Sequence, residues 1–288
     1  MKILLIGKSG QLGSSILSEN TSNVIFAPDR VDLDVENLSS FEVALNDIKP
    51  DVVINTAAFH NVPICEIEPH RAFDINVIAV RNLALACKKA NALFVTFSTD
   101  YVFGGEKNTP YIESDCPKPL QMYGISRLAG ELAVMSAALE NSIIIRTCGL
   151  YGLSGAASKG GNFVDKRILD AETNTLIEMG CDQVVSPTFS KDLAVAVLRL
   201  IQHPELKAGI YHLVNEGECT WYEFTKAIYE LSGLSVKVTP VDRGGMSGSM
   251  RRPLYSVLAN TKALTLGVTL PHWRDALSRF LKEKYEVS

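Results

Sequence analysis

Three side chains in this sequence have types and spacing that suit moving a proton to or from an alcohol oxygen. Tyr123 and Arg127, within "YGISRLAGE" (123–131), stand four positions apart, which places them on one face of a helix. A free tyrosine, with a pKa near ~10, is a poor acid or base at neutral pH. A nearby cation favours its phenolate form and lowers that pKa. Thr99, within "STDYVFGG" (98–105), brings a hydroxyl to the end of a short apolar run. That hydroxyl can hold a carbonyl oxygen beside the phenol during proton transfer. Taken alone, the tyrosine and arginine also describe an ordinary helix start beside a surface cation, so their meaning depends on the elements that position them.

The first half of the chain supplies those elements. Continuous apolar runs at 2–7, 22–27, 51–58, 92–98 and 142–147 read as strands buried on both faces. Helix-like segments at 11–19, 38–48, 70–90 and 119–139 lie between them. This alternation predicts an α/β fold, a Rossmann-like doubly wound parallel sheet. Thr99 then falls at the carboxyl edge of the fourth strand, where such sheets bind ligands. After about residue 150 the pattern loosens into a smaller C-terminal, substrate-binding part. Gly- and Ser-rich loops run through 151–162 and 241–253, and 209–217 reads as a strand and turn. Thr220 with Glu223 forms a capping box ahead of a helix. Trp273, Leu277, Phe280 and Leu281 share one face of a last helix starting near Pro271. The expected division is a dinucleotide-binding domain over 1–150, rejoined by 181–203, and a cap over most of 151–288, leaving a cleft at the sheet's edge.

"GKSGQLG" carries the strongest binding signal. Gly7, Gly10 and Gly13 follow the first strand and open the first helix. Such glycines allow a sharp turn, a close approach to pyrophosphate and tight helix–strand packing, and the helix N-terminus supplies N–H donors for phosphate. A dinucleotide is therefore expected. The second strand ends near Asp29 and Arg30: an acid there suits a ribose diol and an arginine suits a 2′-phosphate, so NADP(H) and NAD(H) both remain open with a lean to NADP. Asp34 and Val35 are placed to flank the adenine. The small side chains of "NTAA" (55–58) leave room for the cofactor backbone.

Composition excludes other classes. The 288 residues are 47% hydrophobic and 21% charged, ordinary for a globular protein with a sizeable core. A net charge of −4 with no basic block argues against nucleic acid as a partner. The N-terminal apolar run is too short for a signal peptide or a membrane span, and the expected location is cytoplasmic. Six scattered cysteines form no C-x-x-C pair, so reduced, buried or partly buried thiols are expected and no metal.

The sequence resembles the extended short-chain dehydrogenase/reductases and, within them, the dTDP-4-dehydrorhamnose reductase family. The resemblance runs nearly end to end through "GKSGQLG", "KPDVVINTAA", "STDYVF", "PLQMYGISRLAGE", "IIRTCGLYG", "NFV", "SPTFSKDLA", "GIYHLVNEGECTWYEF", "RRPLYSVLANTKALTLGV" and "LPHWRDAL". It implies hydride transfer from a nicotinamide to the C4 carbonyl of a nucleotide-linked 4-keto-6-deoxy sugar. Tyr123 would be the general acid and Thr99 would polarise the carbonyl. Gly10, Gln11, Leu12, Asp34, Val35, Ala57 and Ala58 match cofactor contacts, and Asp100 matches a substrate contact. Three positions depart from the family pattern. Arg127 stands where lysine is usual; it keeps the charge, but its planar fork differs in size and hydration. Gly149 stands where a sugar-stacking tryptophan is usual, with Cys148 beside it as a small pocket-lining residue, and the change removes an aromatic platform. Pro63 replaces an acid. In the cap loop, Arg251 and Arg252 are candidates to face a diphosphate.

A homodimer is left open. Two other readings stand beside the reductase. One is a non-catalytic dinucleotide-binding regulatory subunit, favoured by Arg127 and Gly149. The other is an epimerase or dehydratase of a related sugar nucleotide, which would normally need further acid–base residues next to Asp100.

Overall fold

Alternate residues of the first strand point to opposite faces of a sheet, and both faces are covered. In the computed structural model, which describes residues 1–154, 161–248 and 250–286, β1 (Lys2–Ile6) sends Ile3 and Leu5 into one apolar cluster and Leu4 and Ile6 into another. The first cluster is closed by Leu12 and Ile16 of the helix Gln11–Glu19 and by Leu193, Val197 and Leu200 of the helix Ser190–Ile201. The second is closed by Phe41 and Leu45 of Leu38–Ile48, Leu83 of Val80–Lys89 and Val134 of Met122–Ala138. Each fully buried side chain of this size contributes about 1.5–3 kcal/mol relative to exposure. The helix Ser190–Ile201 thus packs on the first half of the chain.

The sheet has six parallel strands. β2 (Val24–Phe26), β3 (Val52–Asn55), β4 (Leu93–Thr99), β5 (Ser142–Thr147) and β6 (Gly209–His212) join β1 in the order β6-β5-β4-β3-β1-β2. Segment 209–212, expected within the cap, is therefore an edge strand of the main sheet; Ile210 pairs in register with Ile144. The order reverses between β1 and β3. Chain leaving the two strands diverges there, opening the crevice used by doubly wound folds for ligands.

The helical stretch expected over 70–90 is divided into Pro69–Phe73, a π-helical turn Asp74–Ala79 and Val80–Lys89. Such turns are rare and frequently sit at functional sites. A separate aromatic cluster organises the later residues: Tyr151, Phe189, Phe224, Trp273 and Phe280 pack together. The capping box of Thr220 and Glu223 starts the helix Trp221–Ser232, and the last helix, Trp273–Tyr285, is capped by His272. Within 151–162, residues 155–160 lie outside the described residues, as does Ser249 of the second Gly/Ser loop. No helix among the described residues is long and apolar enough to cross a membrane. All six cysteines are free; Cys116 is exposed, contrary to the expectation of burial, because it sits in a loop between Tyr111 and Met122 rather than in an element.

A buried ion pair fastens the helix Met122–Ala138 to β5. Arg146 donates from Nε and Nη2 to Glu131 at 2.9 and 2.6 Å, and both side chains are 2% exposed. His212 of β6 lies 3.4 Å from Arg146 Nη1 through Nε2 and meets the Tyr111 carbonyl through Nδ1. Burial, with the charge of Arg146 added, lowers its pKa to about 3, so the imidazole is neutral and its Nε2 accepts from the guanidinium. Glu131→Ala is expected to destabilise the protein by about 3–5 kcal/mol, because it strands a buried guanidinium. Glu131→Leu with Arg146→Met should recover most of that loss in a urea unfolding titration.

Candidate active site

The glycine loop is built as a cradle. Gly7, at φ +89°, turns the chain out of β1, and Thr56 at the end of β3 donates from its hydroxyl to the Ile6 carbonyl at 2.8 Å. A Cβ on Gly13 would collide with the Gly7 carbonyl oxygen, so only glycine lets the first helix start this close to the strand. Gly10 is the N-cap and no side chain caps this helix. Its first N–H groups are thus left for a ligand, where the helix dipole favours an anion. Gly10, Gln11 and Leu12 line a cavity of about 750 Å³. The cavity runs past Ala58 to the carboxyl ends of β4 and β5.

At that end the polar side chains singled out in the sequence meet. Thr99, Asp100, Tyr123 and Arg127 all line the same cavity. Arg127 is 6% exposed and not a surface cation. Its Nη1 donates to Asn76 Oδ1 at 3.3 Å, while Nε has no partner among the described residues. Asn76 is the missed residue of this site. It lies in the π-helical turn, accepts from Phe59 N at 2.9 Å, and donates to Phe59 O at 2.9 Å and Ser126 Oγ at 3.0 Å. Its only sequence signal is an asparagine inside the apolar helical run 75–86, visible once the register of that run is known.

The net electrostatics of Tyr123 differ from expectation. Burial raises its pKa above the ordinary tyrosine value; Arg127 pulls it down and Asp100 raises it, while a hydrogen bond with Thr99 lowers it. Desolvation outweighs the cation, and the phenol keeps its proton at neutral pH. Asp100 also differs. It is 3% exposed and accepts from Thr99 Oγ1 at 2.9 Å, Ser256 Oγ at 2.6 Å and Cys148 Sγ at 3.1 Å. Burial raises its pKa, and these three donors pull it back. With both oxygens engaged, the carboxyl orients Thr99 rather than standing open to a sugar hydroxyl. Thr99 Oγ1 accepts in turn from Tyr101 N at 3.2 Å.

Gly149, Cys148, Pro63 and Arg252 line the cavity as well, and Arg252 Nε is buried without a partner among the described residues. Arg251 is exposed and belongs to a short hairpin strand, Met250–Arg251. Gly7, Gly13, Ala57, Arg30, Asp34 and Val35 are not in the cavity lining. Arg30 pairs with Asp34 at 3.3 Å and approaches Glu36 at 3.9 Å, and Lys8 pairs with Asp29 at 3.0 Å. The aromatic wall expected to be missing at Gly149 is present from another direction: Trp221 and Phe163 line the cavity, as does the exposed Lys166.

The sequence matches the RmlD substrate binding domain family over residues 1–286. The chain belongs to this family. It is 37% identical to the spore coat polysaccharide biosynthesis protein SpsK of Bacillus subtilis, over 98% of each chain. It is 33% identical to the dTDP-4-dehydrorhamnose reductase of Sinorhizobium fredii, over 98% of this chain and 97% of that one. Among solved structures, the dTDP-4-dehydrorhamnose reductase of Bacillus anthracis in complex with NADP superimposes with a TM-score of 0.90 at 34% identity, covering 98% and 99% of the two chains. A Thermus thermophilus UDP-glucose 4-epimerase complex with NAD, at 20% identity and a TM-score of 0.77, shares the fold.

Gln11 Oε1, Ser98 Oγ, Thr147 Oγ1 and Arg127 Nε, all on residues of this cavity and buried without partners among the described residues, fit a polar ligand lying along it, as the uncapped helix fits phosphate. Arg127→Lys keeps the charge next to Tyr123 and is expected to preserve turnover. Arg127→Met removes it and should lower kcat by about tenfold or more, since proton transfer from a positioned acid contributes ~10²–10⁴. Steady-state rates of the two variants check this.

Proposed function

We propose that this family member is an NAD(P)H-dependent oxidoreductase that reduces the 4-keto group of a nucleotide-linked 6-deoxy sugar, as the names of its reductase relatives describe for them. The observation that carries the reading is the convergence, in one cavity, of the glycine-loop helix N-terminus with Thr99, Tyr123 and Arg127. A bound nicotinamide would supply the hydride. Gly10, Gln11 and Leu12 would hold its pyrophosphate, with Ala58 beside the cofactor backbone.

This chain's own groups handle the proton. Tyr123 retains its proton at neutral pH because burial raises its pKa. It is therefore charged with the proton that a carbonyl oxygen requires as it becomes an alcohol. The phenolate left behind lies in the field of Arg127, whose favourable interaction appears only after the proton has gone. That is stabilisation of the developing charge rather than of the ground state. Thr99, aligned by Asp100, offers the second polar contact beside the phenol. Arg252 and Lys166 bring positive charge to the cavity and suit the diphosphate of a sugar nucleotide. Lys8 and Arg30 lie near the tip of β2, Lys8 paired with Asp29 and Arg30 with Asp34, and a 2′-phosphate of NADP would take the place of those carboxylates. The burial of Arg127 and the presence of Trp221 weigh against the non-catalytic subunit, which had rested on Arg127 and Gly149.

The purified protein is expected to consume NADPH, and NADH more slowly, when given dTDP-4-dehydro-6-deoxy-L-mannose, read as loss of nicotinamide absorbance. Tyr123→Phe should cost about 10² or more in rate. Cofactor binding without absorbance loss across a panel of 4-keto sugar nucleotides would contradict the reading.

A further inference from the structure

Trp221 is held more firmly than a loop aromatic needs to be. It is the first residue of its helix, and the capping box fixes the entry: Thr220 N donates to Glu223 Oε2 at 2.8 Å and Glu223 N to Thr220 Oγ1 at 3.1 Å. Its ring packs on Phe163 at 4.6 Å between centroids, tilted by 38°, and edge-on to Phe224 at 6.1 Å. Phe163 opens the helix Phe163–Asp170, itself capped by a box from Asn162 and Asp165. Two aromatic rings at two capped helix starts therefore form one wall. Phe224 and the aromatics behind it are fully buried, whereas Trp221 and Phe163 are only half-buried and face the cavity.

The tip of the indole ends at Gly149. A Cβ built on Gly149 would lie 3.4 Å from Trp221 Cη2 and 3.2 Å from Pro187 Cα, and Gly149 has φ +54°. The left-handed backbone favours glycine there, and a Cβ at this position would just touch the indole, so the ring lies directly against Gly149. Gly149 follows Cys148, whose thiol donates to Asp100, which in turn accepts from Thr99. Gly149, Cys148 and Asp100 thus link the aromatic wall to Thr99.

We infer that Trp221, backed by Phe163, is the apolar platform for the deoxy-sugar ring of the substrate and sets specificity at the sugar rather than at the base. The assignment rests on the reductase reading above. A sugar whose carbonyl reaches Tyr123 and Thr99 must lie against Cys148 and Gly149, and hence under the indole. The base is set apart from that position by the diphosphate. The apolar face of a 6-deoxy sugar, with a methyl group in place of a hydroxymethyl, suits an aromatic surface with no hydrogen-bonding demand.

The chain has two tryptophans, and Trp273 is buried in the aromatic cluster outside the cavity, so Trp273→Phe leaves Trp221 as the sole reporter. With NADP present, dTDP-L-rhamnose should shift or quench its fluorescence, and dTDP alone should leave it unchanged. In turnover, Trp221→Leu should raise KM for the sugar nucleotide by about tenfold with KM for NADPH unchanged, and Trp221→Phe should restore most of it. An equal response to dTDP would put the indole on the nucleoside and overturn the inference while leaving the reductase standing. Binding of dTDP-L-rhamnose by calorimetry with no fluorescence change would overturn it too. Failure of both ligands to bind would remove the reductase reading and the platform together.

Discussion

Arg127 carries a charge out of water beside a phenol, and much of the surrounding structure serves to keep it there. An isolated buried cation is costly unless it is hydrogen-bonded or paired. Here one guanidinium nitrogen is held by Asn76, and Asn76 is held on both sides by the Phe59 backbone. The π-helical turn that carries Asn76 packs against the helix that carries Tyr123 and Arg127, and Ser126 links the two. That helix is itself fastened to β5 by the buried pair of Glu131 and Arg146. Positions of the proton donor, the cation and the strand ends are in this way mutually determined, and little of the geometry is left to side-chain freedom.

The two halves of the chain divide the work. The first half supplies the glycine loop with its helix N-terminus, and Thr99, Tyr123 and Arg127. The later residues supply the aromatic wall and the cations Arg252 and Lys166. Ser256 joins the halves at the centre: it comes from late in the chain, is fully buried and donates to Asp100. The orientation of Thr99 is thereby tied to the seating of the C-terminal residues over the sheet.

Much of this was legible in the sequence because it is local or periodic. The strands, the glycine loop, the four-residue spacing of Tyr123 and Arg127, the capping box at Thr220 and the apolar face of the last helix each follow from neighbours in the chain. What was not legible depends on distant partners. Residues 209–212 read as cap because nothing in "GIYH" announces which sheet edge it will extend. Asn76 lies within the helix-like segment 70–90, and nothing near it in the chain announces its contact with Arg127. Ser256 is separated from Asp100 by 156 positions. The sign of the Tyr123 shift was missed for the same reason: the spacing reveals the cation, but the extent of desolvation depends on the walls supplied by other elements. Gly149 misled in another way, since the aromatic surface absent at that position arrives from Trp221.

The ionisation of Tyr123 itself tests the account most directly. Tyrosine labelled with ¹³C at the ring carbon bearing the hydroxyl allows each phenol to be titrated by NMR, with Tyr123→Phe identifying the signal. Tyr123 is predicted to ionise above the free tyrosine value of ~10 and to move higher still in Arg127→Met. An ionisation below that value, or one that Arg127→Met leaves in place, would contradict the balance of burial and charge on which the proposed proton donor depends.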